Sequence, residues 1–214
     1  ITRKTLLTKI ACDSPLDGPI LDYGAMWDPP YIQRGSPRNA ARDYRVEICG
    51  PAEVGLLQGV ILGEPDRAAR ERLAGPVPKL THVPELLREG VIVDVDVCVP
   101  INTQNTAMVA ELARWFPCLP HVGRADDIWG SFIAQRAARE LGYDVAIGPP
   151  VVWQERNEHD VTVDYEQELY GDRHAARFVN FLEDNGLTGL DDCELLPQAT
   201  RSFWRAWRED VEGL

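Results

Sequence analysis

Apolar residues in RADDIWGSFIAQRAARELGYD, 124–144, fall at Ile128, Trp129, Phe132, Ile133, Ala137 and Leu141. These intervals form one inward stripe on an α-helix. Gly142 stands where such a helix should end. Elsewhere the spacing changes. VGLLQGVILGEPD (54–66) is an apolar run closed by Gly63, Glu64 and Pro65, which predicts a strand and a turn. GVIVDVDVCVPI (90–101) is dense in β-branched residues and predicts a buried strand. YDVAIGPPVVWQERN (143–157) predicts another, interrupted by Gly-Pro-Pro before an extended segment.

Between the strands, EPDRAARERLAG (64–75) has Pro near its start, an acidic first turn and Gly near its end, the asymmetry of a short helix. NTQNTAMVAELARWF (102–116) opens on Asn and Thr, both good caps, and predicts a helix. From about 164 the tail predicts helices in DYEQELYGDRHAARFVNFLEDNG and, after LTGLDD, in SFWRAWREDVEG. The first fifty residues are rich in Pro, Gly and Asp, which predicts long irregular loops with a few short strands. The expected organisation is a loop-rich segment 1–53, an α/β core 54–163 in the same domain, and a helical extension 164–214.

Charge narrows the partners. The 214 residues carry a formal net charge of −12, with no long basic run, so a nucleic-acid backbone would be repelled. No apolar run approaches the roughly 20 residues of a membrane span. Five cysteines are scattered without a C-x-x-C pair. That argues for a reducing, cytoplasmic setting and for cysteines acting as small buried apolar residues. The first residue is Ile1 rather than methionine, so an upstream segment is expected.

Asp126 and Asp127 head the predicted helix. One aspartate suffices as a cap, worth roughly 0.5–2 kcal/mol, and the helix field stabilises a carboxylate there. The pair is therefore an acidic helix start, or a carboxylate kept ionised for metal contact, nucleophilic attack or base chemistry. His159, in WQERNEHD, is a supporting surface residue or a metal ligand. INTQNTAM (101–108) follows a strand end, where α/β sheets bind ligands. Its amides and hydroxyls suit sugar hydroxyls or helix capping. On a strand, Asp94 and Asp96 would share one face, a site for a cation or merely a solvated surface. Trp204 and Trp207 stand at core-like helical spacing, whereas Trp129 and Trp153 adjoin the polar motifs and are candidates for stacking on a sugar. Trp129 is equally placed to anchor its own helix.

INTQNTAM, RADDIWGSFIAQR and VVWQERNEHDVTVDYEQELYG, in that order, resemble the later half of glycosyltransferases related to reversibly glycosylated polypeptides (UDP-arabinopyranose mutases) and, more closely, the STELLO-type glycosyltransferases. WDPPYIQRGSPRN (27–39) and GVILGEPDRAA (59–69) resemble further segments of that group. The resemblance implies a GT-A-like mixed sheet flanked by helices, a nucleotide-sugar donor such as a UDP-sugar, an acceptor it does not name, and Mn²⁺ or Mg²⁺. It implies that Asp126 and Asp127 are catalytic and that His159 contacts the metal. Asn102, Gln104, Asn105, Thr106, Arg124, Trp129, Arg156 and Asn157 would then bind substrate. The group's acidic metal-binding triplet and nucleotide-binding region, which precede the Trp…Arg-Gly-x-Pro loop, have no counterpart before residue 27. A missing upstream region or a second chain would supply the donor site. Two other functions fit parts of the pattern. One is a non-catalytic binding or assembly subunit, which an exposed apolar face in the first fifty residues would mark. The other is a metal-dependent phosphoesterase built on Asp94, Asp96, Asp126, Asp127 and His159.

Overall fold

A computed structural model describes residues 7–12 and 19–211. The start of the loop-rich stretch, DSPLDG, and the last three residues of the helical extension lie outside the described residues. The elements in order are β1 (Leu7–Cys12), β2 (Tyr44–Cys49), β3 (Val54–Gly63), α1 (Ala69–Ala74), α2 (Glu85–Arg88), β4 (Val91–Val93) and β5 (Thr106–Met108). There follow α3 (Ala110–Ala113), α4 (Asp126–Glu140), β6 (Asp144–Gln154), α5 (Val161–Asn185) and α6 (Gln198–Val211). The strands form one six-stranded mixed sheet in the order β2-β1-β4-β6-β3-β5. β1 runs parallel to β4 and β3 parallel to β6, while the other three pairings are antiparallel. The protein is thus a mixed α/β fold, and strands from the loop-rich first segment belong to the same sheet as the core.

The stripe read from the sequence is the packing face of α4. Ile128, Phe132, Ile133 and Ala137 are sealed in the core. Trp129 stacks on Phe178 of α5 with centroids 4.3 Å apart and planes 10° apart. Burying such aromatic pairs contributes apolar area and a further ~0.5–1.5 kcal/mol of ring–ring interaction. The 25-residue α5 starts at Asp160, whose side chain accepts from the N–H groups of Thr162 and Val163, an ordinary aspartate cap.

Two elements differ from expectation. The strand expected over 90–101 stops at Val93. Asp94 accepts the Asp96 N–H at 3.0 Å through its own side chain and pairs with Lys9 at 2.5 Å. A carboxylate that hydrogen-bonds two residues onward closes a turn and competes with the strand ladder. Asp94 and Asp96 therefore do not share a strand face. The helix expected over 102–116 is a turn, then β5, then the single-turn α3. Asn102 Oδ1 accepts the Gln104 N–H at 3.1 Å, and Asn105 C=O accepts the Gly59 N–H at 2.7 Å. Pairing with β3 outweighs helix propensity there. β6 also continues through Pro149-Pro150, the register against β3 shifting between Gly59 and Val60 to absorb the interruption.

Among the cysteines, only Cys98 and Cys193 are buried. Cys12 and Cys49 are half-buried and Cys118 is exposed, so the expectation of five buried thiols is corrected.

Candidate functional site

β3 and β6 end side by side, with Gly63 opposite Gln154. Their continuations are stitched together: Glu64 N–H donates to Gln154 C=O and Arg156 N–H to Glu64 Oε2, both at 2.9 Å. Loops beyond the carboxyl ends of parallel strands are where α/β sheets open for ligands. Here they border a cleft of about 280 Å³ lined by Arg34, Asp66, Thr103, Gln104, Arg124, Asp127, Gln154, Glu155, Arg156, Asn157 and His159. Two glycines let its walls close up. Gly35 has φ +86°, and a Cβ there would lie 2.5 Å from Ile128, so the Arg34 loop can lie against α4. Gly123 has φ +67°, and its Cβ would meet the Gln167 carbonyl oxygen at 2.1 Å, so the turn bearing Arg124 can approach α5.

One side of the cleft is a closed charge network. Arg34 pairs with Asp66 through Nε, donates to the Arg124 carbonyl through Nη1, and holds both oxygens of Asp127 through Nη2 at 2.9 and 3.0 Å. The Thr103 N–H and hydroxyl donate to Asp127 Oδ2 at 3.1 and 3.3 Å. Asp66 also receives Arg156 Nη1 at 3.0 Å and Asn102 Nδ2 at 3.5 Å. Burial works to raise the Asp66 carboxyl, but the Arg34 and Arg156 cations outweigh it and hold it below the usual carboxylate value. Burial likewise opposes the Arg34 cation, yet Asp66 and Asp127 raise it above its usual value.

The other side is loosely held. The Arg124 guanidinium faces Asp164 at 3.1 Å, Glu168 at 3.5 Å and Asp66 at 4.0 Å. Its Nε is buried without a hydrogen-bond partner. Glu168 accepts the Ala69 N–H at 2.7 Å through Oε2, while its Oε1 has no hydrogen-bond partner among the described residues. Burial pushes the Glu168 carboxyl up, against the pull of the Ala69 N–H and of Arg34 and Arg124. Burial also opposes ionisation of Asp164, but a hydrogen bond from Arg72 at 2.6 Å and the Arg124 charge hold its carboxyl down.

The described residues do not fit a metal cage. His159 Nδ1 lies 3.7 Å from Asp164 Oδ1, a carboxylate already engaged by Arg72 and Arg124. No group of three or more His, Cys, Asp or Glu side chains among the described residues could hold a metal ion. Transition-metal and Mg²⁺ sites use carboxylates and imidazoles that are free to coordinate, and Asp66, Asp127 and Asp164 are bound to arginines.

Six of the residues expected from the sequence line the cleft: Asp127, Gln104, Arg124, Arg156, Asn157 and His159. Asn102 sits one layer behind, fully buried, bracing Asp66. The other four stand elsewhere. Asn105 donates to the carbonyls of Val60 and Pro150, and the Thr106 hydroxyl bonds the Asn102 carbonyl, so both fasten β5 to its neighbours. Trp129 has no exposed face to offer a sugar. Asp126 is half-buried and lies off the cleft wall, its carbonyl accepting the Leu119 N–H at 3.2 Å. Trp153, the other stacking candidate, remains 55% exposed at the end of β6, its indole above Gly63.

Arg34 and Asp66 are central to the site, yet composition and periodicity did not single them out. The available signal was a lone charge within each of two Gly- and Pro-bearing segments, QRGSP and GEPD. No family model matches the chain, and no curated protein matches it.

Proposed function

We propose that the chain is a glycosyltransferase, or the part of one that grips the sugar-phosphate portion of a nucleotide-sugar donor, on a GT-A-like version of its mixed sheet. The observation that carries this reading is convergence. Gln104, then Arg124 and Asp127, then Arg156, Asn157 and His159 come from three separate stretches and meet in one cleft beyond β3 and β6. The chemistry matches the ligand class. Gln104, Asn157 and the Thr103 hydroxyl supply donors and acceptors for sugar hydroxyls, and guanidinium groups suit phosphate oxygens. At about 280 Å³ the cleft falls just below the roughly 300–1,000 Å³ usual for ligand sites, which suits a sugar phosphate better than a whole nucleotide sugar. A second cavity of about 270 Å³ lies across the Arg156–His159 wall, lined in part by Pro65, Val77, Pro78 and Val161, and gives the nucleoside room.

In this reading Asp127 is a positioning residue. Both its oxygens are taken by Arg34 and Thr103, so it holds the cleft wall rather than receiving an acceptor's proton. The test is a calorimetric titration of UDP-glucose, UDP and inorganic pyrophosphate. Saturable binding of UDP-glucose tighter than pyrophosphate, weakened by Gln104→Ala, supports the reading, and a chain indifferent to the sugar nucleotide ends it.

A second reading, a non-catalytic assembly subunit of the same ancestry, is favoured by one surface. Val46 lies opposite Ile10 and Ile48 opposite Thr8, and directly opposed residues share a sheet face. Ile10 is sealed in the core, but Val46 is 50% and Ile48 75% exposed. Co-elution with a donor-binding chain on gel filtration, abolished by Ile48→Lys, is the result this reading expects. Release of free sugar from UDP-glucose by the chain alone favours the enzyme.

A further inference from the structure

We propose that the cleft binds the phosphoryl or diphosphoryl group of its ligand through the guanidinium groups of Arg124 and Arg156, without a divalent metal. The inference rests on the nucleotide-sugar reading only for what the phosphate is attached to. Its own basis is a count of hydrogen-bond donors.

A guanidinium carries five N–H donors in a rigid fork. Arg34 directs Nε, Nη1 and Nη2 at protein acceptors. Arg156 uses Nη1 alone, on Asp66 and the Pro65 carbonyl, and its Nε is buried without a partner. Arg124 donates no hydrogen bond to any described residue. It is held only by ion pairs of 3.1 to 4.0 Å, with its Nε also buried and unpartnered. Buried donors almost always find an acceptor, and both these arginines line the cleft. Arg124 Nε already faces Glu168 Oε1 at 3.5 Å, so the donors left for a ligand are the Nη groups of these two arginines that the fold leaves without a hydrogen bond among the described residues. Phosphate oxygens fit, because they accept several N–H bonds at once and match the fork.

Recruiting the Arg124 Nη groups leaves each carboxylate with another partner, while Nε can stay facing Glu168 Oε1 at 3.5 Å. Asp164 keeps Arg72 at 2.6 Å, Asp66 keeps Arg34 and Arg156, and Glu168 keeps the Ala69 N–H. A cation would meet the opposite situation. Bound at Asp66, Asp127 or Asp164, it would have to displace Arg34 or Arg72, while repelled by the guanidinium groups around it.

The test is titration of inorganic pyrophosphate, and separately UDP, into the full chain in excess EDTA and then with Mn²⁺ in place of the chelator. Arg124→Gln, Arg156→Gln and, as a charge control on α6, Arg205→Gln are titrated alongside. Expected are saturable binding in EDTA, a tenfold or greater loss in each cleft variant, and no change in the control. Arg156→Lys keeps a cation beside Asp66 and replaces the glutamine variant if that one does not fold. UDP binding that vanishes in EDTA, an Arg124→Gln affinity equal to wild type, or absence of pyrophosphate binding would each overturn the inference. The two proposals fail separately. Arginine-dependent pyrophosphate binding with no preference for UDP-glucose sinks only the sugar-nucleotide reading. Mn²⁺-dependent UDP-glucose binding insensitive to Arg124 sinks only this one.

Discussion

Arg34 and Arg124 stand on the same cleft wall and touch, Arg34 donating to the Arg124 carbonyl, yet they are opposites. Arg34 is 7% exposed and ties together three chain segments through Asp66, Asp127 and the Arg124 backbone. Arg124 hovers among three carboxylates without a hydrogen bond to any of them. Charge alone does not separate a structural cation from one held ready for a ligand. What separates them is how many donors the fold has already used, because a saturated guanidinium gains little from a new acceptor and an unsaturated one gains a full hydrogen bond.

The sharpest way to break that comparison is Asp66→Ala. It removes the shared partner of Arg34 and Arg156, leaving Arg156 without its carboxylate and Arg34 with Asp127 alone, so a loss of about 3–5 kcal/mol is expected in urea unfolding. A mild effect would mean that the tight side of the cleft is not structural. Asp127→Asn keeps the shape but removes the charge facing Arg34. An expected loss of about 1–3 kcal/mol, with only a small change in pyrophosphate affinity, would mark Asp127 as a residue that positions the wall. Arg124→Gln should reverse the pattern. Its guanidinium makes no hydrogen bond to any described residue, and Asp66 and Asp164 keep other arginines, so stability should fall by less than in Asp66→Ala, while pyrophosphate binding falls.

The smallest effect is the pH response of Glu168. Its folded carboxyl sits above the ordinary value of 4.5 because of burial, so the folded state holds its proton more tightly than the unfolded chain does. The contribution of Glu168 to stability is therefore fully present below the ordinary carboxyl range and is lost as pH rises through the raised folded value. Glu168→Gln should show a higher urea midpoint than wild type at pH 7, and the two should converge as pH falls toward 4.5. A gap that persists unchanged at low pH would show that the carboxyl is not the cause. Asp66 and Asp164, held down by their arginines, act in the other direction and weaken the fold only as they become protonated in stronger acid.

The parts of the fold legible in the sequence were those set by local pattern. α4 ends one residue from Leu141, where the apolar stripe runs out, and β3 stops at Gly63, where the turn residues begin. α5 begins directly after Asp160, a few residues before the expected helical tail. The segments 90–101 and 102–116 were not legible in this way. Asp94 closes its turn through the Asp96 N–H and is held there by Lys9, far away in the chain, and the Asn105 carbonyl fixes the approach to β5 by accepting the Gly59 N–H. Local preference cannot register partners that only the folded chain brings near. Trp129 makes the same point for the site. Its position on the stripe suited either a helix anchor or a sugar platform, and stacking on Phe178 decides for the anchor.

By itself the sequence determined that this is an α/β protein, where its long helices and the strands β3, β4 and β6 lie, and that Gln104, Arg124, Asp127, Arg156, Asn157 and His159 were worth watching. Those features follow from residue spacing and backbone chemistry over a few turns. Tertiary structure decided which of these residues meet, and it added Asp66 and Arg34, the latter bonded to Asp127 93 residues further along the chain. It also decided which charges are already neutralised and which remain open, because electrostatic pairing depends on distance in space and on burial.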